Sequence, residues 1–494
     1  MRSAAYCLLV TIACWLAGPA VGQAEDPIPA HPDELVYPSL EYTLPPAEQF
    51  REVLSNGMVV YIAEDRMLPT LDISVSLRAG GAFDPPGREG LASLACEQLR
   101  DGGTQKLTPE ELDERIEFLA ATLSTQCGDT SGTAVLSCLS KDVDEALGLL
   151  IDVLRHPRYD EERLRKAKER RLQNVKRRND RTSTIEQIEW GFLMNGEGHF
   201  SNEYPSTASI EAITRDDLLA FHRRCVHPGN LMLAVSGDFD RAAMLARLER
   251  AFSGWPAGEP APKTFPAPQH SPAPGVYVIH KDGVNQGRVS LGHGSVLRGT
   301  PDEFALRIMN GILGAAGFQS RLAANVRSDQ GLAYSVGSSF GQGVYYPDDF
   351  RCYVQSKTNA CAFAIRLIID EIRRMQNEKV SQEELDNAIA YYVESFPQAF
   401  PTKLALMQTY LSDEYTGRDP SYWQGCVEKL ESVTAEDVQR VARQYLHPDE
   451  LVILAVGDAD GLVAGGHDKA PELTLEAFGP VIRLPLRDPD TLKR

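Results

Sequence analysis

The chain has 494 residues, 43% of them hydrophobic, which is enough to bury the cores of two or more domains and excludes disorder as its default state. Its formal net charge of -19, from 69 acidic against 50 basic residues, argues against nucleic acid as the main partner. The nine cysteines fall to seven once Cys7 and Cys14 leave with an N-terminal signal, an odd set over a long chain and not a disulfide scaffold.

Arg2, an apolar run from Ala4 to about Val21, and small residues at Gly22 and Ala24 read as a signal peptide, residues 1–24, cut before Glu25. The run contains Gly18 and Pro19 and leads into acidic, Pro-rich sequence, so a membrane anchor is the weaker reading. The mature protein is expected to be exported to the periplasm without stable membrane insertion. Residues 25–42, rich in Pro, are expected to form an extended arm. Strands are expected over 57–62 and 71–77, a helix within Pro86 to Thr104, and a second helix from Pro109, which Thr108 caps. Strands over 121–126 and 133–139 and helices over 143–154 and 160–178 follow. The run of basic residues from Arg163 to Arg181 reads as a solvated helix face. Cys127, at the end of the first of these strands, and Cys138, on the second, are candidate neighbours, and two buried thiols are favoured over a bridge between them.

Short helices over 207–213 and 215–223, a strand over 231–236 and a helix over 241–252 close a first unit, residues 43–253. Residues 254–275, dense in Pro and Ala, read as a stiff extended linker. Over 276–480 the order repeats, with a helix expected over 301–313, and a tail follows at 481–494. The wording repeats too: FHRRCVHPGNLMLAVSGDFD ends the first half and VARQYLHPDELVILAVGDAD the second. The expected fold is therefore α+β, two homologous halves, each a mainly antiparallel sheet covered by helices.

Within Pro86 to Thr104, residues three and four apart share a helical face, the geometry by which an H-x-x-E-H segment presents two zinc-binding imidazoles and a glutamate base. Here that face carries Ser93, Cys96 and Glu97. Together with Gly80 to Thr104, the His227-Pro228 turn and the stretch from Asn310 to Phe340, this arrangement resembles the pitrilysin and mitochondrial-processing-peptidase superfamily, in its bacterial two-subunit branch. The resemblance spans roughly Thr43 to Asp460. It places the first histidine at Ser93, the base at Cys96 or Glu97, the second histidine at Glu97 or Gln98, and the third ligand near Asn174. No imidazole remains, so no metal is expected on this chain. Cys96 and Glu97 read as a small buried thiol and a helix-surface or helix-pocket carboxylate.

In the family an arginine and a tyrosine, spaced as Arg327 and Tyr334 are, reach the catalytic domain's site and hold the substrate backbone and developing oxyanion. Gly314 and Gly317 lie in a small-residue loop that the resemblance implies contacts a passing peptide; a tight turn between helices carries equal weight. The resemblance thus implies a non-catalytic subunit of an exported heterodimeric zinc endopeptidase, inactive alone, with zinc on a homologous catalytic partner and a peptide or unfolded polypeptide as substrate. The second reading is an inert peptide-binding or scaffolding homodimer. An independently active metalloprotease with a rearranged site is the third.

Overall fold

The computed structural model describes His31, Leu35 and residues 43–494. The expected signal peptide, and the arm apart from His31 and Leu35, lie outside the described residues. Among the described residues no helix is long and apolar enough to cross a membrane.

Strand sequences whose inward positions are apolar build two six-stranded sheets. Sheet 1 contains β1 (Arg51–Val53), β2 (Val59–Glu64), β3 (Thr70–Leu77), β4 (Thr122–Cys127), β5 (Gly132–Leu139) and β6 (Leu231–Gly237), in the order β1-β2-β6-β3-β5-β4. Sheet 2 contains β7 (Gly275–His280), β8 (Gln286–Gly294), β10 (Ala333–Phe340), β12 (Asp349–Lys357), β13 (Val452–Gly457) and β14 (Val481–Leu484), in the order β10-β12-β8-β13-β7-β14. A small parallel pair, β9 (Val296–Leu297) and β11 (Gln342–Gly343), stands apart.

Setting β7, β8, β10, β12 and β13 against β2, β3, β4, β5 and β6 reproduces both chain order and sheet order. The two His-Pro passages lead into β6 and β13, which are buried along their whole length. In both sheets the equivalent central pair is parallel, β2 with β6 and β7 with β13, while the other shared neighbours are antiparallel. The chain thus adopts the α+β fold of two homologous, mainly antiparallel halves. It fills the flank of the parallel pair differently in each: β1 from the near end of the chain, β14 from the far end.

Helices exchange between the halves. Thr182–Asn195, from the first half, lays Ile185, Trp190 and Met194 on Tyr277, Ile279, Val452, Leu454 and Val456 of sheet 2. Lys403–Thr416, from the second, lays Leu406, Met407 and Tyr410 on the side of sheet 1 that bears Tyr61, Ala63, Met232 and Ala234. A buried carboxylate marks the first contact. Glu186 meets Arg288 at 3.0 Å and Arg351 at 2.5 Å and accepts from Ser290. Burial alone would raise its carboxyl, but Arg351, Ser290 and Arg288 hold it below the usual range. At the second contact Glu414 accepts from Arg51 and Tyr61, each at 2.8 Å.

Three segments depart from the sequence expectation. The helix Thr182–Asn195 was not anticipated, because apolar side chains ring it: its other side carries Ile188 and Phe192, packed with Leu492. Residues 481–494, expected as a tail, supply β14 and then anchor on that helix through Arg487 to Glu189 at 2.9 Å. The helix expected over 301–313 is regular only over Glu303–Asn310 and widens into a π-turn at Gly311–Ala315. The linker runs extended across the surface, held by Gly258 N–H to His227 Nδ1 at 3.1 Å, Ala261 N–H to Asn230 Oδ1 at 2.7 Å, and Phe265 among Phe83, Phe200 and Tyr345.

Candidate functional site

The motif helix is Leu91–Asp101, with Leu91, Leu94, Ala95 and Leu99 buried and Gly102 at its end. Its free N-terminal amides are met by Asp84, which accepts from Gly90 and Ala92 at 2.8 Å each. Burial pushes the Asp84 carboxyl up to about 6, although these amides pull the other way.

Across this helix lies Glu161–Lys176, the helix on which the resemblance places the third ligand. Ser93 is exposed and accepts from Arg171 at 3.2 Å. Glu97 is paired with Arg170 and, at 2.5 Å, with Arg171. Gln98 is buried, and Asn174, one turn beyond Arg170, is exposed. Cys96 is bonded to Cys127. A zinc ion does not fit this set. A serine hydroxyl is a poor ligand, the Cys96 sulfur is committed to a disulfide, and Glu97 is already neutralised by two guanidiniums that would repel a dication. Among the described residues no three of His, Cys, Asp and Glu are grouped so as to hold a metal ion.

The disulfide corrects the cysteine expectation on two counts. Cys127 and Cys96, both expected as thiols, are bonded to each other; Cys138 is the free, buried thiol expected, and no bridge joins it to Cys127. The register explains it. Cys127 stands opposite Gly132 at one end of the β4–β5 hairpin, whereas Cys138 is next to the Thr122–Ser137 pair at the other, opposite Leu71 of β3. Thr125 in the same strand donates to Cys96 O at 2.6 Å, so the edge strand β4 is fastened to the motif helix twice.

The second half presents a different arrangement. The chain leading to β10 is anchored by Arg321 to Glu384 at 2.6 Å, by Asn325 to Glu371 at 3.0 Å, and by Ser356 Oγ donating to Leu332 O at 2.6 Å. Arg321 holds the Glu384 carboxyl down at about 2 against the upward pull of burial. Between these anchors the Arg327 guanidinium lies 4.4 Å from the centre of the Phe318 ring and 5.0 Å from that of Tyr334. No carboxylate pairs with Arg327 among the described residues, and its guanidinium rests against two rings. Tyr334 is 85% exposed and Phe318 69%. Tyr334 sits at an irregularity at the start of β10, the edge strand of sheet 2.

Gly314 is buried beneath that strand: a Cβ there would stand 2.5 Å from Ser338 N and Oγ. Its role in the fold is close backbone approach. Gly317 is exposed with φ +59° and forms the turn that displays Phe318. Sequence reasoning brought out Arg327 and Tyr334 but passed over Phe318, Arg170 and Arg171. Phe318 had a signal, being the one large apolar residue between Leu313 and Leu322. The arginines had none beyond a basic run whose other members make ordinary surface pairs, such as Arg165 with Glu162 and Glu169.

Comparison with known proteins gives two matching family models: "Insulinase (Peptidase family M16)" over residues 59–189 and "Peptidase M16 inactive domain" over residues 212–392. A "Non-peptidase homolog YmxG" from Helicobacter pylori is 23% identical over 414 residues, covering 83% of this chain and 94% of that protein. A "Probable mitochondrial-processing peptidase subunit beta" from Arabidopsis thaliana is 20% identical, covering 83% of this chain and 78% of that protein. The crystal structure of a peptidase M16 inactive domain from Pseudomonas fluorescens superposes with a TM-score of 0.72 at 23% identity, over 82% of this chain and 97% of the other. The chain belongs to the insulinase (M16) peptidase family and is a non-catalytic member of it.

Proposed function

We propose that this chain is the non-catalytic subunit of an exported two-chain zinc endopeptidase, with zinc on a homologous partner, and that Arg327 and Tyr334 complete the partner's site. The observation that carries this reading is the Arg327 guanidinium, unpaired by any carboxylate among the described residues and held between two exposed rings beside an edge strand. A guanidinium fixed in this way offers donors to a peptide carbonyl, and the Tyr334 hydroxyl offers one to an oxyanion. An edge strand without a second neighbour accepts an extended peptide through main-chain hydrogen bonds. In the same reading the zinc motif is degenerate at Ser93, Cys96, Glu97 and Asn174. The Cys96–Cys127 disulfide supports export, because such bonds persist in oxidising compartments. The relative from Arabidopsis thaliana, by its name a subunit, supports a paired assembly.

The test is the complex purified from the exported fraction. A heterodimer carrying about one zinc is expected, since one chain alone supplies a ligand set. In that complex Arg327→Ala and Tyr334→Ala each lower turnover, on the order of a hundredfold for loss of one transition-state donor, with assembly unchanged. Unchanged turnover in both variants overturns the shared site, and a zinc-free homodimer overturns the heterodimer.

A further inference from the structure

We infer that Phe318 selects a bulky apolar side chain in a peptide bound along β10, beside the point where Arg327 holds the peptide's main chain. This rests on the shared-site reading above and adds the class of substrate: peptides with a large aliphatic or aromatic residue next to the held carbonyl.

Phe318 and Tyr334 are two of the four most exposed large apolar or aromatic side chains described. An exposed ring alone needs no explanation. This one is fixed in place. Gly317 turns the chain with φ +59°, Ser320 Oγ donates to Gly317 O at 2.7 Å, and the next residue, Arg321, is clamped by Glu384. Ala316 and Leu322 on either side are buried, so the loop already places its apolar neighbours inward and leaves Phe318 outside. One aspect of its ring lies against the Arg327 guanidinium, and much of the rest is open to water.

The site therefore offers two kinds of contact side by side: N–H donors on Arg327 that no carboxylate among the described residues takes up, and apolar ring surface on Phe318. A peptide satisfies both when a carbonyl and a bulky apolar side chain lie within a residue or two of each other. A small side chain leaves the ring in water, and a cationic one is repelled by Arg327.

The measurement is equilibrium binding of two capped pentapeptides, identical except for phenylalanine or alanine at the centre, to the full-length mature protein in its native assembly. The wild type is expected to bind the phenylalanine peptide about tenfold more tightly, as covering part of a benzyl ring provides. Phe318→Ala brings the ratio of the two affinities close to one, and Phe318→Leu, which keeps an apolar surface, retains most of the preference. Arg327→Gln weakens both peptides by the same factor and keeps their ratio. If Phe318→Ala leaves the ratio intact or weakens both peptides alike, or if the wild type binds neither, the inference is overturned. Loss of the preference in Phe318→Ala with no effect of Arg327→Gln overturns the role of Arg327 and leaves that of Phe318 standing.

Discussion

Glu97 shows how a helix-face carboxylate is held where the resemblance expects a metal ligand. A carboxylate on a helix face beside two guanidiniums is at ease only if each charge has its partner, and here Arg170 and Arg171 both converge on it. Introducing imidazoles on this face therefore faces more than missing ligands. In the double variant Ser93→His with Glu97→His, the two arginines lose their carboxylate and point unpaired toward the new nitrogens, while Cys96 stays in its disulfide and Asn174 provides only an amide. The variant is expected to retain well under one zinc per chain after dialysis against chelator-free buffer, measured by elemental analysis; close to one zinc would refute this account. The absence of any histidine from the helix that carries Ser93 and Glu97 could be read from the letters alone. The neutralising arginines were not, because each lies more than seventy residues from its partner, and a basic run does not reveal which of its members face another helix.

At the next scale, each half must fasten its edge strand to the helical segment packed against it, and the two halves do so by different means. In sheet 2, Gly314 lets the π-turn after Glu303–Asn310 press directly on Ser338 of β10. In sheet 1 the equivalent strand β4 is tied to the motif helix by Cys96–Cys127 and by Thr125. A cross-link closing a loop with sequence separation 31 is worth about 3.7 kcal/mol in the chain-entropy account. Cys127→Ser is expected to lower unfolding stability by about that amount in urea titrations, and a loss under about 1 kcal/mol would show that packing and Thr125 suffice without the bond. The strands themselves were legible, since alternation and turn residues are local signals. The partner of Cys127 was not, because proximity between neighbouring strands was visible in the sequence and register was not: the hairpin sets Cys127 and Cys138 at opposite ends while the motif helix comes down over Cys127. The helix Thr182–Asn195 escaped for a related reason. Its apolar residues face sheet 2 on one side and the C-terminal segment on the other, so it lacks the single stripe by which a surface helix is recognised.

For the whole molecule, that exchange of helices makes each sheet depend on the opposite half of the chain for part of its cover. Thr182–Asn195 seals sheet 2 and Lys403–Thr416 seals sheet 1, so neither half retains a closed core when the other unfolds. Thr43–Arg494 is accordingly one compact unit, and it is expected to melt as a single calorimetric transition even though its sequence is a tandem repeat. The two ion-pair contacts under the crossing helices provide a graded test. The Glu186 side chain is 2% exposed and faces two arginines that are 27% and 23% exposed, so Glu186→Ala leaves two partly buried guanidiniums without their carboxylate and is expected to cost about 3 kcal/mol. The Glu414 side chain is 32% exposed and its partner Arg51 38%, so water screens that pair and Glu414→Ala is expected to cost only about 1 kcal/mol. If the halves are coupled as their packing indicates, the larger loss lowers the one transition for the entire chain. Were Glu186→Ala instead to split the melt in two, with the first half retaining the wild-type midpoint, Thr182–Asn195 would be an ornament on sheet 2 and not the element that binds the halves together.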